Sequence, residues 1–363
     1  MTEKIKIFHF ISSLKRGGRE RQLSTIFKYS NKEQFDVKII LLHQQSKSYV
    51  VEYQGMDDCI QYINAKSFWL RLMALWNLVK TEKPQIIYTW GSLESLLVLL
   101  LTPFSHFKFI NGSIRHGIVL PKWSHRWRTM VLHLSKNIIS NSHAGLKANG
   151  LKRGYVLYNG LDEQFFVKHN RLELKKILIS NVEPNTTIFI SVANLVPYKD
   201  YFTILESLKT LSEKGYSFYY LILGEGPLLD EIKNTIIEYN LETKVQLIGN
   251  VVNVAEYLAV SDVFIHSSKG EGCSNAIIEA MAAGLAIVAS DTGGTSEIVS
   301  NKVGYLFEYK NSKSLVEKLL ALMKNPKEIQ ILGSNARNCA HEKFSSHTMM
   351  TNYEIILNQI LDK

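Results

Sequence analysis

Short, densely apolar runs rich in β-branched and aromatic residues alternate along this chain with longer stretches of helical periodicity. In the first half the runs are "KIKIFHFI" (4–11), "DVKIILL" (36–42), "QIIYTW" (85–90), "FKFING" (107–112) and "NIISNS" (137–142). The second half repeats the rhythm with "TIFISVA" (187–193), "FYYLILG" (218–224), "KVQLIG" (244–249), "DVFIHS" (262–267) and "LAIVAS" (285–290). Apolar runs without strict alternation, separated by helical segments, predict parallel strands buried on both faces. The fold class expected is α/β, with two Rossmann-like, doubly wound domains facing across a cleft.

The polar stretch "NGLDEQFFVKHNR" (159–171) marks the change of domain. This gives an N-terminal domain over 1–165 and a C-terminal domain over 166–345. The final segment predicts a helix over 346–363, capped near Ser346, with Met350, Tyr353, Ile356, Leu357 and Leu361 on its apolar side. That helix is expected to cross back onto the first domain. No solenoid repeat or low-complexity segment interrupts the pattern.

A chain of 363 residues with a 46% hydrophobic fraction can fill two cores. The longest apolar run, Leu96 to Phe104, is well short of the roughly 20 residues of a spanning helix, and the N-terminal run lacks a cleavage signal. Cys59, Cys273 and Cys339 are widely spaced, which favours a reducing, cytoplasmic setting and no structural zinc. The net charge of +9 conceals an asymmetry, because the basic excess lies in the first half. No acidic residue occurs between Glu94 and Asp162. A face of that sign suits an anionic membrane surface, nucleic acid or an acidic substrate.

The most informative chemistry lies in "KGEGCSNAIIEAMAAG" (269–284). A strand, a glycine turn and Ser274 as candidate N-cap precede a helix from Asn275 to Gly284. Its N-terminus would present free N–H groups and a positive dipole end to a phosphate. Glu271 in the loop and Glu279 in the helix could each accept hydrogen bonds from diols, which is the layout of a nucleotide sugar. On spacing alone, an ordinary surface helix with solvated glutamates weighs equally.

Other strand ends add to this picture. Gly17 and Gly18 follow the first strand, where backbone can approach a ligand or simply turn. Lys199 in "ANLVPYKD" could act on phosphate or stay solvated, and Arg115 and His116 end a first-domain strand. "GEGPLLDEI" (224–232) reads as mainly structural.

Together the stretches "GGRERQL", "RHG", "SNSHAGLKANG", "VLYNGLD", "VANLVPYKD", "LILGEGP" and the run from "GNVVNVAEYL" through "TSEIV" resemble the retaining glycosyltransferases of family 4, the group 1 glycosyltransferases of GT-B fold. The resemblance covers nearly the whole chain and is most specific at the paired glutamates. It implies that Glu271 holds the transferred sugar and Glu279 the ribose. Lys199 would neutralise the diphosphate, with N–H groups from Gly272, Cys273, Ser274 and Asn275 and from Gly17 and Gly18. His116 would sit beside the donor sugar, and Val251 near the base, uracil by family frequency. It implies no metal and no cofactor, the donor being a co-substrate.

One departure is Asn194, where relatives carry an arginine. Arg16 or Arg19 is therefore expected to supply the compensating charge.

The acceptor, a glycan or polyprenyl-linked glycan, is expected on the basic first domain. Two segments there, 67–80 with Phe68, Leu72, Leu75, Trp76 and Val79, and 121–136 with Trp123 and Trp127 among Lys122, Arg126 and Arg128, suit either a core face or a peripheral contact with the inner, anionic membrane leaflet. Nucleic acid is disfavoured because no binding module is visible. A non-hydrolysing sugar-nucleotide epimerase and a catalytically weak nucleotide-sugar binder are the alternatives.

Overall fold

The structure, a computed structural model, describes residues 4–14, 17–42, 56–118, 124–167, 169–179, 182–183 and 186–362. Two compact units result: 1–160 with 346–363, and 161–345. The chain passes to the second unit after Gly160, ahead of the 165/166 boundary expected, because the Leu161 N–H already donates to the Phe344 carbonyl at 2.7 Å.

Among the described residues the first unit holds a seven-stranded parallel sheet, ordered β3-β2-β1-β4-β5-β6-β7. Its strands are β1 (Ile5–Ile11), β2 (Phe35–Leu41), β3 (Ile60–Tyr62), β4 (Ile86–Thr89), β5 (Lys108–Ile114), β6 (Asn137–Ser140) and β7 (Tyr155–Val156). Alternate residues of β1 serve opposite layers. Ile7 and Ile11 pack with helices Gly18–Tyr29 and Ser346–Leu361, whereas Phe8 and Phe10 pack with Phe68–Glu82 and Ser92–Leu101. This double burial explains the unbroken apolar reading of the strand. The edge strands β3 and β7 escaped the pattern because they are short and half-exposed.

The C-terminal helix is tied to this sheet by a buried polar clasp. The Trp90 indole donates to Nδ1 of His9 at 3.0 Å, and Tyr353 Oη lies 3.0 Å from His9 Nε2. Indole nitrogen only donates, so Nδ1 must be bare and the neutral ring carries its hydrogen on Nε2, toward Tyr353. Burial pushes the His9 pKa down to about 3.

The second unit holds a six-stranded parallel sheet among the described residues, ordered β10-β9-β8-β11-β12-β13. Its strands are β8 (Thr187–Val192), β9 (Phe218–Leu223), β10 (Val245–Gly249), β11 (Val263–His266), β12 (Ala286–Ser290) and β13 (Gly304–Phe307). Strand β13 was not anticipated. It begins at Gly304, where a Cβ would stand 1.9 Å from the Ile287 carbonyl oxygen, so glycine permits the pairing while diluting the apolar signal.

Both strand orders place a switch point beside the first strand of the sheet, between β1 and β4 and between β8 and β11. Loops at the carboxyl ends of strands flanking such a point are where open α/β sheets bind ligands.

Candidate active site

In the second unit, parallel strands bring the loops after β8, β9, β10, β11 and β12 to one edge. Backbone bonds lace them together. The Lys269 N–H donates to the Tyr198 carbonyl (2.9 Å), Leu195 N–H to Glu225 (2.9 Å) and Gly224 N–H to Gly249 (2.8 Å). Glycine is required at Gly224, since a Cβ there would meet the Ala193 oxygen at 2.0 Å. The structural reading of "GEGP" thus has a concrete cause, close contact with the loop that carries Lys199.

Three titratable side chains converge across the switch point. Lys199 Nζ lies 2.8 Å from Glu271 Oε2, and His266 Nε2 lies 2.7 Å from the same oxygen. Lys199 and His266 are themselves 3.4 Å apart. The Lys199 residue is 7% exposed, while the Glu271 side chain keeps 28% of its surface open. Burial works to raise the Glu271 pKa, but the Lys199 ammonium and the His266 hydrogen bond outweigh it and hold the carboxyl well below its usual range. Burial and the neighbouring ammonium lower His266, against the opposing pull of Glu271. The cluster is therefore an ammonium–carboxylate pair with a histidine favoured neutral, partly open to solvent at the Glu271 side chain.

Glu271 is held from behind. The Gly294 N–H donates to its carbonyl at 2.8 Å, and Gly293 adopts φ +57° directly against it. A Cβ at Gly293 would lie 2.3 Å from the Glu271 carbonyl oxygen. Gly293→Ala is expected to destabilise the protein by about 2 kcal/mol from the left-handed backbone and the clash. Thermal melting checks this; an unchanged melting temperature would show that the loop yields freely.

Helix Asn275–Ala283 starts at this edge and ends at Gly284, whose φ of +86° lets its N–H bond back to the Ala280 and Met281 carbonyls. Ser274 occupies the N-cap position, but its side chain makes no capping hydrogen bond, contrary to its expected role. Gly272, Cys273 and Ser274 are buried and Asn275 is half-buried. Glu279 is 3% exposed. Asn194 is exposed and Val251 half-buried at the ends of β8 and β10.

The remaining sequence candidates belong to the first unit. Gly17 and Gly18 start the helix after β1 with Gly17 in extended backbone, so no left-handed turn is involved. His116 is exposed just beyond β5. Arg19 donates to the Trp90 carbonyl (3.3 Å) and pairs with Glu20 (3.2 Å), while Arg16 lies outside the described residues. Among the described residues no group of three or more His, Cys, Asp or Glu is placed to hold a metal ion. Sequence reasoning missed His266. Its only signal was a histidine ending a strand immediately before the glycine loop.

Residues 173–339 match the family model described as "Glycosyl transferases group 1". The chain is 27% identical to the N-acetyl-alpha-D-glucosaminyl L-malate synthase of Bacillus anthracis, over 69% of its own length and 63% of that relative's. It is 25% identical to the UDP-Gal:alpha-D-GlcNAc-diphosphoundecaprenol alpha-1,3-galactosyltransferase of Escherichia coli, over 92% of both chains. In structure it is similar to Anabaena HepE, solved in complex with UDP, with a TM-score of 0.84 at 19% identity over 98% of this chain and 100% of that one. These likenesses agree with the two parallel-sheet, Rossmann-like units of the GT-B fold. Over residues 173–339 the chain is thus similar to the group 1 glycosyltransferases, and a relative similar over 92% of its length is a galactosyltransferase.

Proposed function

We propose that this protein is an enzyme that transfers a sugar from a nucleotide-sugar donor, UDP-linked, to a glycan or lipid-linked glycan acceptor in the synthesis of a cell-surface polysaccharide or glycoconjugate. The observation that carries the proposal is the Lys199–Glu271–His266 cluster beside the start of helix Asn275–Ala283. Relatives named for UDP-linked donors and a diphosphoundecaprenol acceptor support the substrate classes.

In this reading the donor diphosphate lies against Lys199 and the amides of Gly272, Cys273, Ser274 and Asn275. Cation, helix dipole and N–H groups then stabilise the charge growing on the departing nucleoside diphosphate. Glu271 accepts hydrogen bonds from sugar hydroxyls, and His266 keeps its carboxylate oriented. Glu279 is assigned to the ribose, Val251 to the base and His116 to the donor sugar. With positive charge supplied by Lys199 and the helix end, transfer is expected to be metal-independent. No carboxylate is assigned as a nucleophile. Retention therefore follows from same-face attack, with the leaving phosphate oxygen taking the acceptor's proton.

The test is release of nucleoside diphosphate from a panel of nucleotide sugars in the presence of a membrane lipid extract, with and without EDTA. Release from one donor, dependent on lipid and unaffected by EDTA, is the expected result. The exposed, uncharged Asn194 favours a second reading, a weak nucleotide-sugar binder. Tight nucleotide binding with no donor consumed under any acceptor would select that reading instead.

A further inference from the structure

Helix Phe68–Glu82 buries Leu75 and Val79 against the first sheet, with Phe68, Leu72 and Trp76 packed partly beside them. Of the two readings left open for this stripe, the structure shows the core face. Yet the opposite side of the same helix is also apolar: Trp69 is 70% exposed, Leu70 54% and Met73 62%. A surface helix of a globular protein ordinarily turns charged or polar residues outward on that side.

The exposed surface continues onto the neighbouring helix Ser92–Leu101. Trp76 meets Phe104, just beyond that helix, edge-on at 6.3 Å between ring centres. Phe104 is 73% exposed and Leu100, one turn before it, is exposed as well. Contiguous exposed apolar surface on this scale is uncommon in a soluble monomer and marks a binding face.

Charge identifies the occupant. Lys66 and Lys80 are exposed at the two ends of the helix, and Lys80 lies 4.5 Å above the Trp76 ring. Among the described residues, Glu94 on the neighbouring helix is buried, and Glu82 at the end of this helix is held by Lys6 (3.0 Å) and Lys38 (2.7 Å). Beyond Glu94 no acid follows until Asp162, and the adjacent helix Ser124–Leu134 exposes Arg126, Arg128, Met130 and Leu134. Tryptophan and phenylalanine at the surface, flanked by the exposed Lys66 and Lys80, match the headgroup boundary of an anionic bilayer.

We propose that the outward face of helix Phe68–Glu82, continued by Leu100 and Phe104, docks on an anionic lipid bilayer, inserting Trp69, Met73 and Phe104 at headgroup depth with Lys66 and Lys80 on lipid phosphates. No described helix is long and apolar enough to cross a membrane, and this contact needs none. The surface stands on its own exposure and charge. Its consequence, holding the enzyme where a lipid-linked acceptor resides, rests on the function proposed above.

The experiment is co-sedimentation of the full chain with vesicles of phosphatidylglycerol and phosphatidylethanolamine, and with vesicles of phosphatidylcholine alone. Wild type is expected to bind the anionic vesicles, less at high salt. Trp69→Ser/Met73→Ser/Phe104→Ser is expected to bind about a hundredfold more weakly. Lys66→Gln/Lys80→Gln should lose about fivefold for each charge. Unchanged melting temperatures show that both variants fold, as fits substitutions at solvent-facing positions. The proposal is overturned if wild type fails to bind anionic vesicles, or if the triple variant binds them equally. It is also overturned if the face instead supports a concentration-dependent dimer that the triple variant abolishes. Vesicle binding without sugar transfer would sink the proposed reaction and leave the docking face standing.

Discussion

Lys199→Ala is expected to lower kcat/KM for donor turnover by about a thousandfold, a loss of ~4 kcal/mol of transition-state stabilisation. The ammonium is buried and lies 2.8 Å from Glu271. In the proposed reaction it faces the charge that develops on the leaving diphosphate, and Asn194 carries no charge to replace it. Removing it also takes away the cation that, with the His266 hydrogen bond, holds the partly exposed Glu271 carboxyl well below its usual range.

Glu271→Gln should lose about a hundredfold, since an amide still offers one acceptor to the sugar but leaves Lys199 without its counter-charge. The acid limb has a definite sign. The folded pKa of Glu271 is depressed, so its stabilising contribution is complete above the unfolded carboxylate range and is lost only as pH falls through the lower folded value. Glu271 therefore imposes no loss of donor affinity between neutral pH and about pH 5. Steady-state kinetics on both variants decide the matter. Lys199→Ala retaining activity within tenfold of wild type would remove this lysine from the diphosphate site.

The second large effect is on stability. With a folded pKa of about 3 against the ordinary value of 6.5, His9 stays neutral in the native clasp but charges readily in the unfolded chain. The unfolded state thus binds the extra proton below pH 6.5, and stability falls as pH is lowered from there toward 3. The full contribution is on the order of 5 kcal/mol, of which about 2 kcal/mol is lost between pH 6.5 and 5, before most carboxylates titrate. His266, also lowered, adds slope of the same sign. His9→Gln is expected to reduce stability at neutral pH and to flatten, without abolishing, the decline between pH 6.5 and 5. Chemical denaturation at several pH values reads both effects. An identical slope in wild type and variant would mean that His9 charges without cost in the native clasp.

Much of the site was legible because local patterns carried it. A strand, a glycine turn and a helix ending at Gly284 each leave a signature within a few residues, and Glu271 and Lys199 stood out at strand ends. The side-chain contacts were not legible. Nothing local says that His266, five residues before Glu271 and sixty-seven after Lys199, would touch both. Nor could spacing tell that Ser274 leaves its cap unmade, or that Gly293 is required because the Glu271 carbonyl passes beneath it.

By itself, then, the amino-acid order determined two doubly wound α/β units, and it singled out Lys199 and Glu271 at strand ends as the residues to which the donor chemistry is here assigned by proposal. Strands buried on both faces and helices buried on one write their periodicity into the chain, whatever packs against them. Only the tertiary structure decided the edge strands β3, β7 and β13, the His9–Trp90–Tyr353 clasp, the three-way contact around Glu271 and the outward turn of Trp69, Met73 and Phe104. Each depends on which surfaces meet across long separations, and an apolar residue in a helix reads the same whether it faces a core or the outside.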